Sequence, residues 1–313
     1  MKPFISPHCC DLLTRHGLNT FEAFWDLPRH WVEDSNVRRN GWSGAIRHTV
    51  IDGEGGRFSM FVKLQENHSY RSPTHLLQRR PTFYRDFLNI RRMERIGVPT
   101  AEPVFYAERR DNDKLEAVLA TAALEDYREL NSIFEDSSLG APIRQAILHR
   151  IAETVWFMHC HRLQHNGLSG KHLMIKLGEG DAFDMRILDL EKMRRSWSWL
   201  RTAVCDLEKL ILLTPTLTTG EHTELVRHYA SYLTPAYGRK LVVMINERIA
   251  HRWPAKSAGV PAIRLSDSCA TSKQKARQAP AIWHFHFPSF LKYSLRRRNI
   301  PQTTYRLPKD RTF

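Results

Sequence analysis

Long apolar runs are missing from this sequence. A membrane-spanning helix needs about 20 consecutive apolar residues, and "LEKLILLTP" and "KLVVMI" fall far short of that. The opening residues, "MKPFISPHCC", lack the apolar segment of a secretory signal. Cysteine is sparse as well: five residues, Cys9, Cys10, Cys160, Cys205 and Cys269, an odd and scattered set that forms no disulfide framework. Such usage suits a reducing compartment, so a cytoplasmic protein is expected. No internal repeat is present. A hydrophobic content of 42% with 26% charged residues excludes disordered and fibrous classes.

Carboxylates are outnumbered. Against 47 Lys and Arg stand 33 Asp and Glu, a net charge of +14, which implies an anionic partner. The excess is local: from Pro254 to Phe313 twelve Lys or Arg face only Asp267 and Asp310. Most of 254–280 reads as disordered or loosely attached. Beyond it, "IWHFHFPSFLKY" and "LRRR" suit docking on the body of the protein or on an anionic membrane leaflet. RNA would also suit that charge, but no recognisable nucleic-acid motif accompanies it, so nucleic acid is not the expected partner.

What is present is a change of texture along the chain. "GAIRHTVID" and "RFSMFVKLQ" flank "GEGG", the pattern of a hairpin. A polar, basic stretch follows, and then Phe83, Phe87, Ile90 and Met93 recur at helical spacing up to Gly97, a stop signal. "VPTAEPVFYAERR" and "KLEAVLATAAL" read as two more strands around "DNDK". Then the helix takes over, with Pro142 at a start and Ile143, Ile147, Ile151, Val155 and Met158 on one face. Short strands "LMIKL" and "MRILDL" precede helical patterns in "TAVCDLEKLILL", "GEHTELVRHYASYLT" and "GRKLVVMINERIAHRW". Strands with one helix, then a mostly helical half, predict a two-lobed α+β architecture.

Phosphoryl transfer asks for cations around phosphates, metal ligands and a held acceptor hydroxyl. Four pieces supply those parts in the order found in kinases. Lys63 in "MFVKLQ" would reach the phosphates. Asp86 on the following helix would orient it through an ion pair. The loop from His165 to His172 follows the long helix. Asp189 in "RILDLEK" ends an apolar run, where a bare carboxylate is poorly placed and Mg²⁺ would satisfy it. Taken singly, a strand-end lysine, a surface acid, a polar connection and a turn aspartate are each ordinary. A zinc cluster of His159, His161, His165 and His172 with Cys160 is disfavoured, because His159 and His161 lie two apart on a helix and point to different faces.

"FVK", "RDFLNIRRMERIGVPTAEPV", "HNGLSGKH" and "ILDLEK", followed by "RTAVCDLEKLI", resemble the bacterial lipopolysaccharide kinase family over roughly residues 40–250. That family comprises core heptose kinases and InaA-like relatives with a protein-kinase-like fold. The resemblance implies a small β-rich N-lobe over 36–123, a helical C-lobe over 124–253, an N-terminal extension over 1–35 and a basic tail over 254–313. It implies an ATP-dependent kinase, with Mg²⁺, acting on a sugar hydroxyl of the lipopolysaccharide core, cytoplasmic or peripheral on the inner membrane. By the same resemblance Lys63 is the ATP-phosphate lysine, Asp86 its helix partner, and Asp189 the metal aspartate. His172 stands where protein kinases carry a metal-binding asparagine. Leu124 and Glu125 form the adenine hinge, and Asp206 supports the loop.

One position departs from the pattern. Gly167 stands where the carboxylate that receives the acceptor's proton belongs, and no Asp or Glu occurs from 165 to 176. Acid–base help is worth about 10²–10⁴-fold, so its loss slows transfer without forbidding it. His165, Asp189 and Glu191 are the candidate substitutes, and His165 is counted among the catalytic residues with Lys63 and Asp189. The alternative reading is a pseudokinase-like scaffold or stress-response binding protein.

Overall fold

The chain opens with a two-residue strand, β1 (Phe4–Ile5), and two short helices, α1 (Cys10–Arg15) and α2 (Phe21–Trp25). Strands β2 (Asn36–Arg38), β3 (Gly41–Ile51) and β4 (Arg57–Glu66) follow, then the paired β5 (Ser69–Ser72) and β6 (His75–Pro81) inside the polar stretch. Helix α3 (Thr82–Ile96) precedes β7 (Pro103–Asp111) and β8 (Lys114–Ala122). The computed structural model describes residues 2–252 and 262–264, except 33, 39, 40, 54, 73, 74 and 113. The chain divides into two compact units, residues 1–277 and 278–313, and every described residue lies in the first. The aromatic and basic patch of the tail lies outside the described residues.

A six-stranded sheet runs in the order β1-β7-β8-β4-β3-β2. The residues set apart as an N-terminal extension are part of it: Phe4 pairs with Tyr106 and Ile5 with Phe105. Two residues are too few to hold a strand alone. The helices behind β1 supply the rest, since Leu13, Phe21 and Phe24 bury themselves against Val62, Leu64 and Phe105. Each such side chain contributes about 1.5–3 kcal/mol by leaving water.

Strand alternation then decides where the chemistry faces. Met60, Val62 and Leu64 of β4 are fully buried on the α1/α2 side. Period two turns Phe61, Lys63 and Gln65 to the opposite side, which α3 covers. Fully buried Gln65 fixes that helix, its Oε1 accepting from the Thr82 hydroxyl at 2.9 Å and the Phe83 amide at 3.0 Å. At the other end Gly97 caps α3 in the left-handed region, φ 76°, where glycine is free of the Cβ clash.

The helical half contains β9 (Arg128–Glu129), α4 (Leu130–Phe134), α5 (Ala141–Cys160), β10 (Leu163–Gln164), β11 (Leu173–Leu177), β12 (Phe183–Ile187), β13 (Arg194–Arg195), α6 (Trp199–Leu212), α7 (Thr219–Ala230) and α8 (Pro235–Arg252). Ile147, Ile151, Val155 and Met158 of α5 lie at the centre of its core. Thr218 and Glu221 form a reciprocal capping box at α7. Helix α8 starts three residues before the Gly238 of the sequence pattern, because Pro235 suits a first turn. β11 pairs with β12, Leu173 opposite Ile187, and this hairpin carries the loop on one side and Asp189 on the other. No described helix is long and apolar enough to cross a membrane. The result is the two-lobed, kinase-like α+β fold.

Candidate active site

Between the sheet and the helical half lies a cavity of about 400 Å³, lined by Lys63, Asp86 and Asp189 together with Leu124 and Glu125. Phe61, Ala101, Ala122, Met174 and Leu188 give it apolar walls. Arg47, also in the lining, pairs with Glu125 at 2.6 Å. A lining that combines apolar side chains with a few charged ones suits a ligand with a charged tail and a flat apolar body.

Lys63 Nζ donates to Asp86 Oδ2 at 2.9 Å. The carboxylate is 3% exposed and the lysine 33%, so α3 holds a buried anion against a cation that still reaches the cavity. Burial works against the lysine's charge, but Asp86 first, and Asp189 and Glu191 behind it, outweigh burial and raise its pKa above the ordinary value. The ammonium is therefore secured.

Asp189 follows β12 by two residues and adopts φ 57°, ψ 60°. Aspartate is among the few L-residues that tolerate the left-handed region. Two contacts hold this turn: Thr100 Oγ1 donates to the Ile187 carbonyl at 2.7 Å, and Asn89 Nδ2 donates to the carbonyls of Leu190 at 2.7 Å and Met193 at 3.0 Å. Asn89 is a residue that sequence reasoning passed over. The only signal was a polar residue three positions after Asp86, close to its face of the helix. Glu191 is pushed up chiefly by burial and then by the charges of Asp86 and Asp189, with Arg85 at 3.6 Å opposing.

The loop from His165 to His172 is built on Asp206, which is fully buried on α6. Its Oδ2 accepts from the His165 amide at 2.7 Å and its Oδ1 from the Asn166 amide at 2.8 Å. His159 Nε2 also lies 3.2 Å from Asp206, while His159 Nδ1 lies 2.9 Å from the Tyr229 hydroxyl. One tautomer, protonated at Nε2, satisfies both. The histidines thus anchor the loop, and no cluster of three or more metal-ligating side chains occurs among the described residues.

His165 is corrected from a catalytic candidate to a loop anchor. Its ring is fully buried and its Nε2 donates to the Leu188 carbonyl at 2.9 Å, so it has no path to a reactant. Burial pushes its pKa down and leaves the ring uncharged. His172 differs, for it is partly exposed. Its Nδ1 lies 2.7 Å from the Gly167 carbonyl, which can only accept, so Nδ1 carries the proton. Nε2 is then directed at Asp189 Oδ2, 3.3 Å away. A carboxylate and an imidazole nitrogen in that relation share either a proton or a cation. Gly167 itself has ordinary backbone angles, and a Cβ added there would meet nothing nearer than 3.8 Å.

Comparison with known proteins bears on the fold and the family. Protein InaA of Escherichia coli (strain K12) is 29% identical over 178 residues, 56% of this chain and 79% of that one. The solved structure described as WaaP in complex with acyl carrier protein shares the fold at a TM-score of 0.53 and 20% identity, covering 82% of this chain and 95% of that one. The lipopolysaccharide kinase (Kdo/WaaP) model matches residues 22–229, and the chain belongs to that family.

Proposed function

We propose that the chain is an ATP-dependent kinase that phosphorylates a sugar hydroxyl of the lipopolysaccharide core. The observation that carries this reading is that Lys63, backed by buried Asp86, and Asp189 line one cavity from opposite lobes. Apolar walls beside Leu124 suit an adenine ring. Lys63 holds the phosphates, and Asp86 keeps the ammonium aimed. Asp189 suits Mg²⁺, a hard cation whose other positions phosphate oxygens and water would fill; the His172 imidazole, 3.3 Å from that carboxylate, is a softer nitrogen donor that would stand beside the ion. When bound, the ion neutralises charge developing on the transferred group.

With Gly167 in place, the loop offers no carboxylate to the acceptor's proton. The transition state is loose and draws modestly on a base, so positioning by Lys63 and Asp189 sustains a slower transfer. Gly167 is also what favours the second reading, a nucleotide-binding scaffold without efficient catalysis. Thermal-shift titration with ATP and Mg²⁺, followed by phosphate transfer onto purified core oligosaccharide, separates the cases. Stabilisation with transfer supports the kinase, stabilisation without transfer supports the scaffold, and no stabilisation rejects both.

A further inference from the structure

A second cavity, of about 340 Å³, opens beside the loop. Asn166 lines it, with Arg194 of β13, Arg201 and Lys209 of α6, and Arg248 and Arg252 of α8. Five cations therefore converge on one hollow whose lining contains no carboxylate. Arg248 is paired with buried Glu208 at 2.6 Å. Arg194 gives its Nε to Gln164 at 3.3 Å, leaving the outer fork of its guanidinium to the cavity. Among the described residues, Arg201 and Arg252 have no ion-pair partner. Like charges so gathered repel one another, and the guanidinium fork matches a phosphate in two-pronged geometry.

The hollow is also wired to the loop. Lys209 Nζ donates to the carbonyl of Asn166 at 2.6 Å and to its side-chain oxygen at 3.0 Å. Asn166 precedes Gly167, the position that would face an acceptor hydroxyl. Between Arg194 and Arg201 the chain carries Trp197, 94% exposed and outside the lining of the hollow, an indole face available to the part of a ligand that extends beyond it. The volume falls in the range of small-molecule sites and exceeds what a lone anion fills.

We propose that this cavity receives a phosphate monoester already carried by the saccharide acceptor, so that the chain acts after an earlier phosphorylation. The assignment rests on the kinase reading for its direction, but its binding does not require ATP. Calorimetric titration of the full chain with a hexose phosphate, the same hexose without phosphate, and inorganic phosphate tests it. The hexose phosphate binds more tightly than inorganic phosphate, and the bare hexose does not bind. Arg194→Gln with Arg201→Gln, both exposed, weakens the hexose phosphate by about a hundredfold through two lost charge-assisted contacts. Trp197→Ala removes the advantage over inorganic phosphate, and Lys63→Met leaves hexose phosphate binding intact. Loss in Lys63→Met with retention in the arginine variant would place the ligand in the nucleotide cavity and overturn the proposal. Equal binding of inorganic phosphate and hexose phosphate would make it a free-phosphate site and overturn the acceptor assignment. An absent ATP–Mg²⁺ response, read separately, would fail the kinase reading alone.

Discussion

The side-chain amide of Asn89 lies 2.7 Å from the carbonyl oxygen of Leu190, and that contact ties α3 to the turn that presents Asp189. One helix therefore positions both charged partners of the cleft, Asp86 toward Lys63 and Asn89 toward the residue after Asp189. Replacing Asn89 by Leu takes the donor from the Met193 carbonyl, while the Leu190 carbonyl keeps only the Met193 amide at 3.0 Å. We expect a loss of about 1–3 kcal/mol in urea unfolding, together with weaker ATP–Mg²⁺ binding. Unchanged nucleotide affinity in a destabilised variant would reduce Asn89 to packing.

Lys63→Met and Asp189→Asn should each sharply reduce ATP–Mg²⁺ affinity in a thermal-shift titration. Lys63→Met also strips the cation from a buried carboxylate, so it lowers stability. Adding Asp86→Asn to Lys63→Met should restore much of that stability and none of the nucleotide affinity. A double variant that binds nucleotide normally would contradict the role given to the pair.

Asp206→Ala removes a charged acceptor from two backbone amides at once. Each bond to a charged group is worth about 1.5–3 kcal/mol, so unfolding free energy should fall by roughly 3–5 kcal/mol. Equilibrium unfolding in urea measures this, and a change within experimental error would mean the amides find other partners.

Much of this fold was legible in the sequence, and the reasons are local. "GEGG" marked the β3–β4 turn, Gly97 ended α3, and Pro142 opened α5, because turn and cap chemistry is written in adjacent residues. β1 was not legible, since two residues gain a strand only from Phe105 and Tyr106, about a hundred positions away. Lys63, Asp86 and Asp189 were picked out by their order along the chain together with the family resemblance, and all three line one cavity. Their backing was not picked out: Gln65, Asn89 and Thr100 are polar residues whose partners are distant backbone or side-chain groups. His165 misled for the opposite reason. Its type suggested proton transfer, while only coordinates reveal that the ring is sealed beneath Leu188.

The buried His165 ring gives stability a pH dependence of definite sign. The unfolded residue takes up a proton as pH falls through its ordinary value near 6.5, whereas the folded ring resists until lower pH. Its contribution is intact above that value and drains away below it, levelling only beneath the folded pKa. His222, also pushed down by burial, acts in the same direction. His165→Gln should flatten the decline in unfolding midpoint from about pH 8 to about pH 5. Parallel declines in variant and parent would assign the effect elsewhere.

Gly167→Asp introduces a carboxylate where a new Cβ makes only ordinary contacts, at 3.8 Å and beyond. With acceptor and ATP–Mg²⁺ present, turnover should rise, by up to the 10²–10⁴-fold that a positioned base provides. A folded, nucleotide-binding variant with unaltered turnover would show that proton removal does not limit the reaction.

The ordinary contacts around Gly167 also bear on heredity. Every glycine codon lies one base change from a codon for aspartate or glutamate, and a Cβ at this position would meet only His165 at 3.8 Å and Lys192 at 3.9 Å. The acid that the loop lacks is thus a single base change away.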